Sequence, residues 1–393
     1  MSLQLINRSI DLKKLRDDGY EIEINSSFLL IHSVPYLNSR LQLSYGTLVS
    51  ELELRGDVTA PPSNHVVHFS GEYPHQKDGS EIPQIRHVAG TRELYDGRFI
   101  NFSFSNKPLQ GYKDYYEKMT RYIEIISAPA RSAFQDIDID ARTYKPIKNT
   151  EEDSVFQYLD TATSRAGISL SANKLAGQRI GVIGVGGTGA YVLDFVAKTS
   201  VQEIHIFDGD KFLQHNAFRS PGAACLTDLE SSLFKVTYYR QLYSKIHKNI
   251  HAHPEFINES NLQQLQSLDF IFLCLDSGAA RKLVSEKLED FDISFVDVGM
   301  GLQLVEDVLI GQMRTTLSTS SNRSAARLHV PKTDADIENE YVTNIQVVEL
   351  NALNASLAVL KWKKFSGFYQ DLEGEHSSIY TLNVNMLTSI GAS

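Results

Sequence analysis

Residues 179–208 read RIGVIGVGGTGAYVLDFVAKTSVQEIHIFD. The apolar run RIGVIGV lacks polar alternation, which predicts a strand covered on both faces of its sheet. AYVLDFVAKTS (190–200) predicts a helix, and EIHIFD (203–208) a second strand. A strand, a helix and a strand in that order form a crossover unit and therefore imply a parallel sheet. Between the first strand and the helix lies G-x-G-x-x-G, with glycines at Gly184, Gly186 and Gly189 and a further one at Gly187. The first glycine permits a tight turn, the second lets the backbone approach a phosphate, and the third lets the helix pack closely on the strand. The helix N-terminus offers unpaired N–H groups to an anion. Asp208, nineteen residues beyond Gly189 at the end of the second strand, is placed to accept ribose hydroxyls. An adenine nucleotide is expected here; the glycine pattern alone leaves NAD and ATP open.

The same alternation continues downstream. LFKVTYYRQLYSKIH and AARKLVSEKLE predict helices, and DFIFLCLD (269–276) and ISFVDVG predict strands. The polar stretch Arg314–Tyr341 reads as an exposed crossover or lid. IQVVELNALNASLAVLKWKKF (345–365) predicts a long helix with Trp362 buried and Lys361, Lys363 and Lys364 as its solvated end. SSIYTLNVNM follows as one last strand. Upstream, the pattern is mixed. DLKKLRDDGY (11–20) predicts a helix, EIEIN and FLLIHSV a hairpin turning at Ser26-Ser27, and LVSELEL and HVVHFSG two more strands. DYYEKMTRYIEIIS (114–127) has Tyr115, Met119, Tyr122 and Ile126 on one helical face, with Pro129 expected to end it. ARTYKPIKNTEEDS, polar and proline-containing, marks a boundary. The expected architecture is a smaller α+β domain at 1–148, then a Rossmann-like α/β domain at 149–393 with a doubly wound, mostly parallel sheet.

Composition narrows the class. With 42% hydrophobic and 22% charged residues in 393, the chain is neither disordered nor fibrous. No apolar run nears the roughly 18–20 residues that span a bilayer, and no signal-peptide pattern opens the chain, so the expectation is a cytoplasmic protein without a membrane partner. Two cysteines, Cys225 and Cys274, exclude a disulfide scaffold or a four-cysteine zinc site. A net charge of -10 argues against nucleic acid as a partner. His65 and His68, three apart on a strand, are expected on opposite faces and so not as a metal pair.

The residues after the glycine turn separate the two nucleotides. IFDGDKFLQHNAFRS carries Asp208, Asp210, Asn216 and Arg219; Lys235 opens the next helix, and Asp276 ends the next strand. Hydride transfer has no evident need of this set. Transfer of AMP to a carboxylate does: cations neutralise the attacked phosphates, a carboxylate holds Mg²⁺ at the leaving pyrophosphate, and an Asn orients the reacting groups. The ordered set resembles the ThiF/MoeB and ubiquitin-activating-enzyme (E1-like) superfamily of adenylating enzymes. That family's order is a glycine loop, D-x-D-x-(V/I)-x-x-S-N-L-x-R-Q, a G-x-x-K helix start and (T/C)-D-N ending a strand. The resemblance covers about residues 155–390. It implies ATP and Mg²⁺ as cofactors, with Gly184, Gly186, Gly187, Gly189, Asp208 and Asp210 binding the nucleotide. Arg219, Lys235, Asn216 and Asp276 would be catalytic, Asp276 holding the Mg²⁺. Ser164-Arg165 resembles the arm whose Arg reaches the partner subunit's nucleotide, which implies a homodimer. Arg281 takes the place of a recurring Arg in the following helix.

The same likeness implies a substrate: a ubiquitin-like or sulfur-carrier protein whose C-terminal glycine carboxylate becomes an acyl-adenylate, passed on to a downstream acceptor protein. The N-terminal half resembles the accessory segment fused to ThiF-like proteins in bacterial ubiquitin-like modification clusters. Departures are Ser220 for the usual Gln, Ser277 for the usual Asn, and the lack of paired C-x-x-C elements, so no structural zinc is expected. Cys274, inside an apolar strand, reads as an inert thiol; Cys225 lies after the Arg219 segment, and the simplest reading is adenylation without a thioester on the protein's own cysteine. Three other readings remain at this stage: an NAD-dependent oxidoreductase on the same glycine loop, a non-catalytic dimeric scaffold, and adenylation of a carboxylate on a nucleoside.

Overall fold

In the computed structural model, residues 2–25, 27–95, 98–146, 154–332 and 345–391 are described. The chain divides into two compact units, Met1–Ile147 and Lys148–Ser393. The first unit begins with helices α1 (Ser2–Arg8) and α2 (Ile10–Asp17). Its strands are β1 (Ile22–Asn25), β2 (Phe28–Leu37), β3 (Leu43–Glu51), β4 (Leu54–Arg55), β5 (Val58–Thr59), β6 (Val66–Ser70), β7 (Arg86–Tyr95) and β8 (Arg98–Ser105). Six of them form an antiparallel sheet ordered β1-β2-β3-β6-β8-β7, while β4 and β5 pair separately. The hairpin β7–β8 follows the polar loop and has no counterpart in the sequence reading; its exposed face breaks the alternation that would have revealed it.

Helix α3 (Tyr115–Ala133) buries Tyr115, Met119, Tyr122 and Ile126 completely, the face its spacing predicts. Its N-terminus is capped by the Asp114 carboxylate, which accepts from the Glu117 N–H at 2.8 Å. Pro129 does not end it: the helix runs a further turn, to Ala133. Proline there forfeits one backbone hydrogen bond, but Ala130 is fully buried in a cluster with Leu37 and Ile139, and that packing holds the last turn.

The second unit contains α4 (Thr161–Arg165), α5 (Ser169–Ala172), β9 (Arg179–Ile183), α6 (Thr188–Val196), β10 (Glu203–Phe207), α7 (Gln214–Ala217), α8 (Leu226–Glu230), α9 (Lys235–Tyr243), β11 (Ile250–His253), β12 (Phe270–Leu273), α10 (Gly278–Asp290), β13 (Ser294–Val305), β14 (Val308–Ser318), α11 (Arg323–Ala326), α12 (Val348–Phe365), β15 (Glu375–Thr381) and β16 (Met386–Gly391). The sheet is ordered β11-β10-β9-β12-β13-β14-β15-β16. The first five strands are parallel and the last three antiparallel. One face packs Ile180, Val182, Ile204 and Ile206 against α6, α9 and α12; the other packs Ile183, Phe207, Ile271 and Leu273 against α10 and the turn at 262–267. Coverage on both faces explains the unbroken apolar strands.

Three readings of this unit need correction. Residues 314–318 are not a crossover: they end β14, where Thr315, Thr316, Leu317 and Ser318 are buried. Polar Thr and Ser side chains hid a strand whose backbone is satisfied by pairing on both sides, with β13 and β15. The supposed lid also takes in 333–341, which lies outside the described residues. The tail forms two strands, β15 and β16, separated by a turn at Leu382–Asn385. Lys361 is not part of a solvated helix end: it is 3% exposed and lies 3.5 Å from Glu375 on β15. Trp362 is fully buried, its indole N–H donating to Gln178 at 2.9 Å. Among the described residues no helix is long and apolar enough to cross a membrane.

Candidate nucleotide site

From β9 the chain winds outward through β10 to β11, then returns to lay β12 on the other side of β9. The carboxyl ends of β9, β10 and β12 therefore frame a switch point, where open α/β sheets bind ligands. The glycine turn sits there. Gly184 has φ +85°, and a Cβ on it would lie 2.4 Å from the Cys274 carbonyl oxygen, so only glycine fits between the turn and the end of β12. A Cβ on Gly189 would lie 1.8 Å from the Gly184 carbonyl oxygen, because the start of α6 presses on the turn. Gly186 is different: nothing stands within 4 Å of its Cβ position. Open space at that one glycine suits a ligand approaching the backbone.

Asp208 is 7% exposed at the end of β10. One carboxylate oxygen accepts from the Val185 N–H at 2.9 Å, and the other from the Asp210 N–H at 2.9 Å. It therefore ties the glycine turn to the neighbouring strand. Lys235, the first residue of α9 and 6% exposed, points its Nζ at Asp210 (2.7 Å) and Asp208 (3.5 Å). Sequence reasoning assigned this lysine to phosphates; here its partners are the two aspartates of the D-x-D run.

Asn216 is 1% exposed and its Oδ1 accepts from the Leu213 N–H at 2.8 Å, which fixes the orientation of the amide. Its Nδ2 is buried with no hydrogen-bond partner. The Arg219 Nε is in the same condition. Arg219 is placed by Asn351 of α12, whose Nδ2 donates to the Arg219 carbonyl at 3.2 Å while its Oδ1 accepts from the Thr188 hydroxyl at 3.0 Å. Gly187, the N-cap of α6, lies against the same amide: a Cβ there would sit 2.2 Å from Asn351 Nδ2. Asn351 is fully buried and was given no role from sequence. The available signal was an amide on the apolar face of a long helix, where a polar group demands partners.

Asp276 is exposed in the loop between β12 and α10. The loop is anchored from below. The Arg281 guanidinium donates to the Leu275 carbonyl and, at 2.9 Å, to Asp297, which is fully buried and also pairs with Arg314. Arg281 thus shapes the loop that carries Asp276. The turn, Asp208 and Lys235 are joined by direct contacts, the Arg219 backbone is linked to the turn through Asn351, and Asp276 follows the backbone that abuts Gly184. Arg165 is exposed at the end of α4, ahead of the sheet in the chain.

The cysteines differ. Burial pushes the Cys274 thiol up, and its Cβ would be 3.1 Å from a Cβ on Gly189, so it packs beneath the turn. Cys225 is exposed, with its sulfur 2.9 Å from the Thr227 hydroxyl and 3.0 Å from the Asp228 carboxylate. In the first unit, His65 and His68 each bond a serine of β8, Ser105 at 3.1 Å and Ser103 at 3.0 Å.

Residues 161–364 match the ThiF family, and residues 10–161 match a domain of unknown function (DUF6791). The chain is 23% identical over 150 residues to ubiquitin-like modifier-activating enzyme 5 of Drosophila virilis, covering 35% of this chain and 38% of that protein. It is 30% identical over 135 residues to the adenylyltransferase and sulfurtransferase UBA4 of Saccharomyces cerevisiae (strain YJM789), covering 33% of this chain and 30% of that protein. The chain thus spans well under half the length of either relative. Among solved structures, E. coli MccB with ATP superposes with a TM-score of 0.44 at 16% identity, over 59% of this chain and 72% of that one.

Proposed function

The chain belongs to the ThiF family, and on that premise we propose that it is an ATP- and Mg²⁺-dependent adenylyltransferase that activates a carboxylate as its acyl-adenylate. One observation carries the reading. In the segment whose Arg219 carbonyl is tied through Asn351 to Thr188 of the glycine turn, the Arg219 Nε and Asn216 Nδ2 are buried donors without a hydrogen-bond partner. A buried donor left unpaired costs roughly 1–3 kcal/mol, and a phosphate chain supplies the missing acceptors. The open face of Gly186 and the N-terminus of α6 would take the rest of the nucleotide. Asp208 retains lone pairs for a ribose hydroxyl while bracing the turn, and Asp210 holds the Lys235 ammonium in place. Lys235 would exchange part of its contact with Asp210, whose side chain is 57% exposed, for phosphate oxygens. Asp276, exposed and carboxylate-bearing, would hold Mg²⁺, which supplies charge neutralisation for the departing pyrophosphate.

The substrate we propose is the C-terminal glycine carboxylate of a ubiquitin-like or sulfur-carrier protein, in a bacterial ubiquitin-like modification pathway; the likeness to a ubiquitin-like modifier-activating enzyme and to an adenylyltransferase and sulfurtransferase, and the resemblance of the N-terminal half, support it. The active species would be a homodimer, with the partner subunit's Arg165 completing the phosphate site. Neither cysteine is assigned a thioester, so the acyl group would pass to a separate acceptor protein. The test is carrier-dependent exchange of pyrophosphate into ATP. Asp276→Asn and Arg219→Ala should each reduce it on the order of 10²–10³-fold. Carrier-dependent exchange that persists in Asp276→Asn contradicts the magnesium assignment, and thermal protection by NAD but not by ATP–Mg²⁺ contradicts the reading as a whole.

A further inference from the structure

The outer corner of the eight-stranded sheet carries a second polar cluster. β10 and β11 are parallel and in register, with His205 opposite His251 and Phe207 opposite His253. The two-residue period of a strand puts Glu203, His205 and Phe207 on one face of β10, beside His251 and His253 on the same face of β11. The rings stack: His205 lies 4.6 Å from His251 and 5.4 Å from His253, and His253 lies 4.2 Å from Phe207. One ligand atom from each of Glu203, His205 and His251 lies within 4.8 Å of the others, the only such trio among the described residues.

We propose that Glu203, His205 Nε2 and a ring nitrogen of His251 form a binding site for a zinc-class divalent transition-metal ion, with His253 holding the His205 ring in place. Imidazole and carboxylate bind such an ion at about 2.0–2.2 Å, which sets neighbouring ligand atoms roughly 3.4 Å apart. His205 Nε2 and Glu203 Oε2 already stand 3.1 Å apart. His251 is exposed and Glu203 is partly so, and small rotations of these two side chains bring the third ligand in while leaving a fourth position to water. The other nitrogen of His205 lies 3.2 Å from His253 Nε2. A ligating imidazole is ordinarily fixed through its second nitrogen in this way.

The surroundings are compatible with a cation. The nearest cation, Arg179 on β9 opposite Glu203, is occupied by Asp269 at 3.0 Å. Glu255, next to His253, is held by Asn261 and Gln264. β11 is the edge strand of the sheet, and an ion shared with β10 would staple that edge. These ligands are unrelated to the paired cysteines whose absence led to the expectation of no structural zinc, and the site does not depend on the proposed adenylation.

The test is Zn²⁺ titration of the chelator-treated full chain, with excess Mg²⁺ present to fill oxygen-only sites. One ion per chain is expected, with a higher melting temperature and, for Co²⁺, the visible bands of a four-coordinate ion. His251→Ala should weaken binding at least about tenfold, His205→Gln and Glu203→Gln likewise, and His253→Gln by about tenfold. His87→Ala, on an exposed histidine of the other unit, should change nothing. Unfolding curves with chelator present verify that each variant is folded. Stoichiometric zinc that persists in the His205→Gln/His251→Ala double variant overturns the proposal, as does the absence of binding at micromolar free Zn²⁺, which would leave the cluster a hydrogen-bonded ladder only.

Discussion

Lys235 shows how much one side chain of the candidate site carries. Its ammonium is the partner of a 7%-exposed carboxylate that also braces the glycine turn. Lys235→Met is therefore expected to cost stability as well as activity, by about 3 kcal/mol, because Asp208 is left buried without its counter-charge. Chemical denaturation measures this, and Lys235→Arg should recover most of the stability but less of the exchange rate. Gly184 makes a steric counterpart. With φ +85° and the Cys274 carbonyl 2.4 Å from its Cβ position, Gly184→Ala is expected to destabilise by about 2 kcal/mol or more and to abolish nucleotide-induced thermal protection. Cys225→Ser should leave carrier-dependent exchange unchanged, since the thiol is given no part in adenylation; loss of exchange in that variant would return the thioester to consideration. The glycines and acids were legible in sequence because their spacing is enforced by the turn. Asn351 was not, since its partners, Thr188 and the Arg219 carbonyl, lie more than 130 positions upstream.

Among the elements, β6 buries a histidine and α3 runs past the proline expected to end it, and both can be measured. On β6, His68 is 6% exposed and faces Ser103 and Arg92. Burial, aided by the Arg92 charge, holds its proton affinity down, at about 4. The folded state thus prefers the neutral ring. Its contribution to stability is complete above the unfolded value near 6.5 and is lost as pH falls from there toward 4, by up to about 3 kcal/mol. Comparison of urea midpoints at pH 7 and pH 5 should show a smaller acid loss for His68→Gln than for the parent chain. In α3, Pro129 occupies a helical position without an N–H to give. Pro129→Ala is expected to stabilise by about 1 kcal/mol, read as a higher melting temperature, because the helix already continues through the site. A lower melting temperature would mean that the proline's restriction of the unfolded chain outweighs the missing bond.

The molecule as a whole has separate cores. Leu12, Ile31, Phe69 and Tyr122 cluster within the first unit; Val182, Ile206, Phe272 and Trp362 cluster within the second. Calorimetry is accordingly expected to resolve two transitions, of which ATP–Mg²⁺ raises only the one that belongs to residues 148–393. A single transition, or a shift of both, would show the units to be thermodynamically coupled. β9 and β12 could be read from one chain because they lie inside the sheet, covered on both faces and apolar along their length, whereas the edge strand β11, with His251 and His253, has no counterpart in the sequence reading. The glycine turn at the switch point could be read for a related reason: its geometry demands glycine, so its place is written into residue type and spacing. In the antiparallel half, β13 and the start of the tail read as strands, whereas β14 and the hairpin β7–β8 carry mixed polar residues that hide the alternation of a strand. Only the folded arrangement assigned Lys235 to two aspartates, Arg281 to the loop before Asp276, and a row of histidines to one face of two strands. Residue order constrains neighbours a few positions apart, whereas the partner of a buried charge or amide is settled by packing across the sheet.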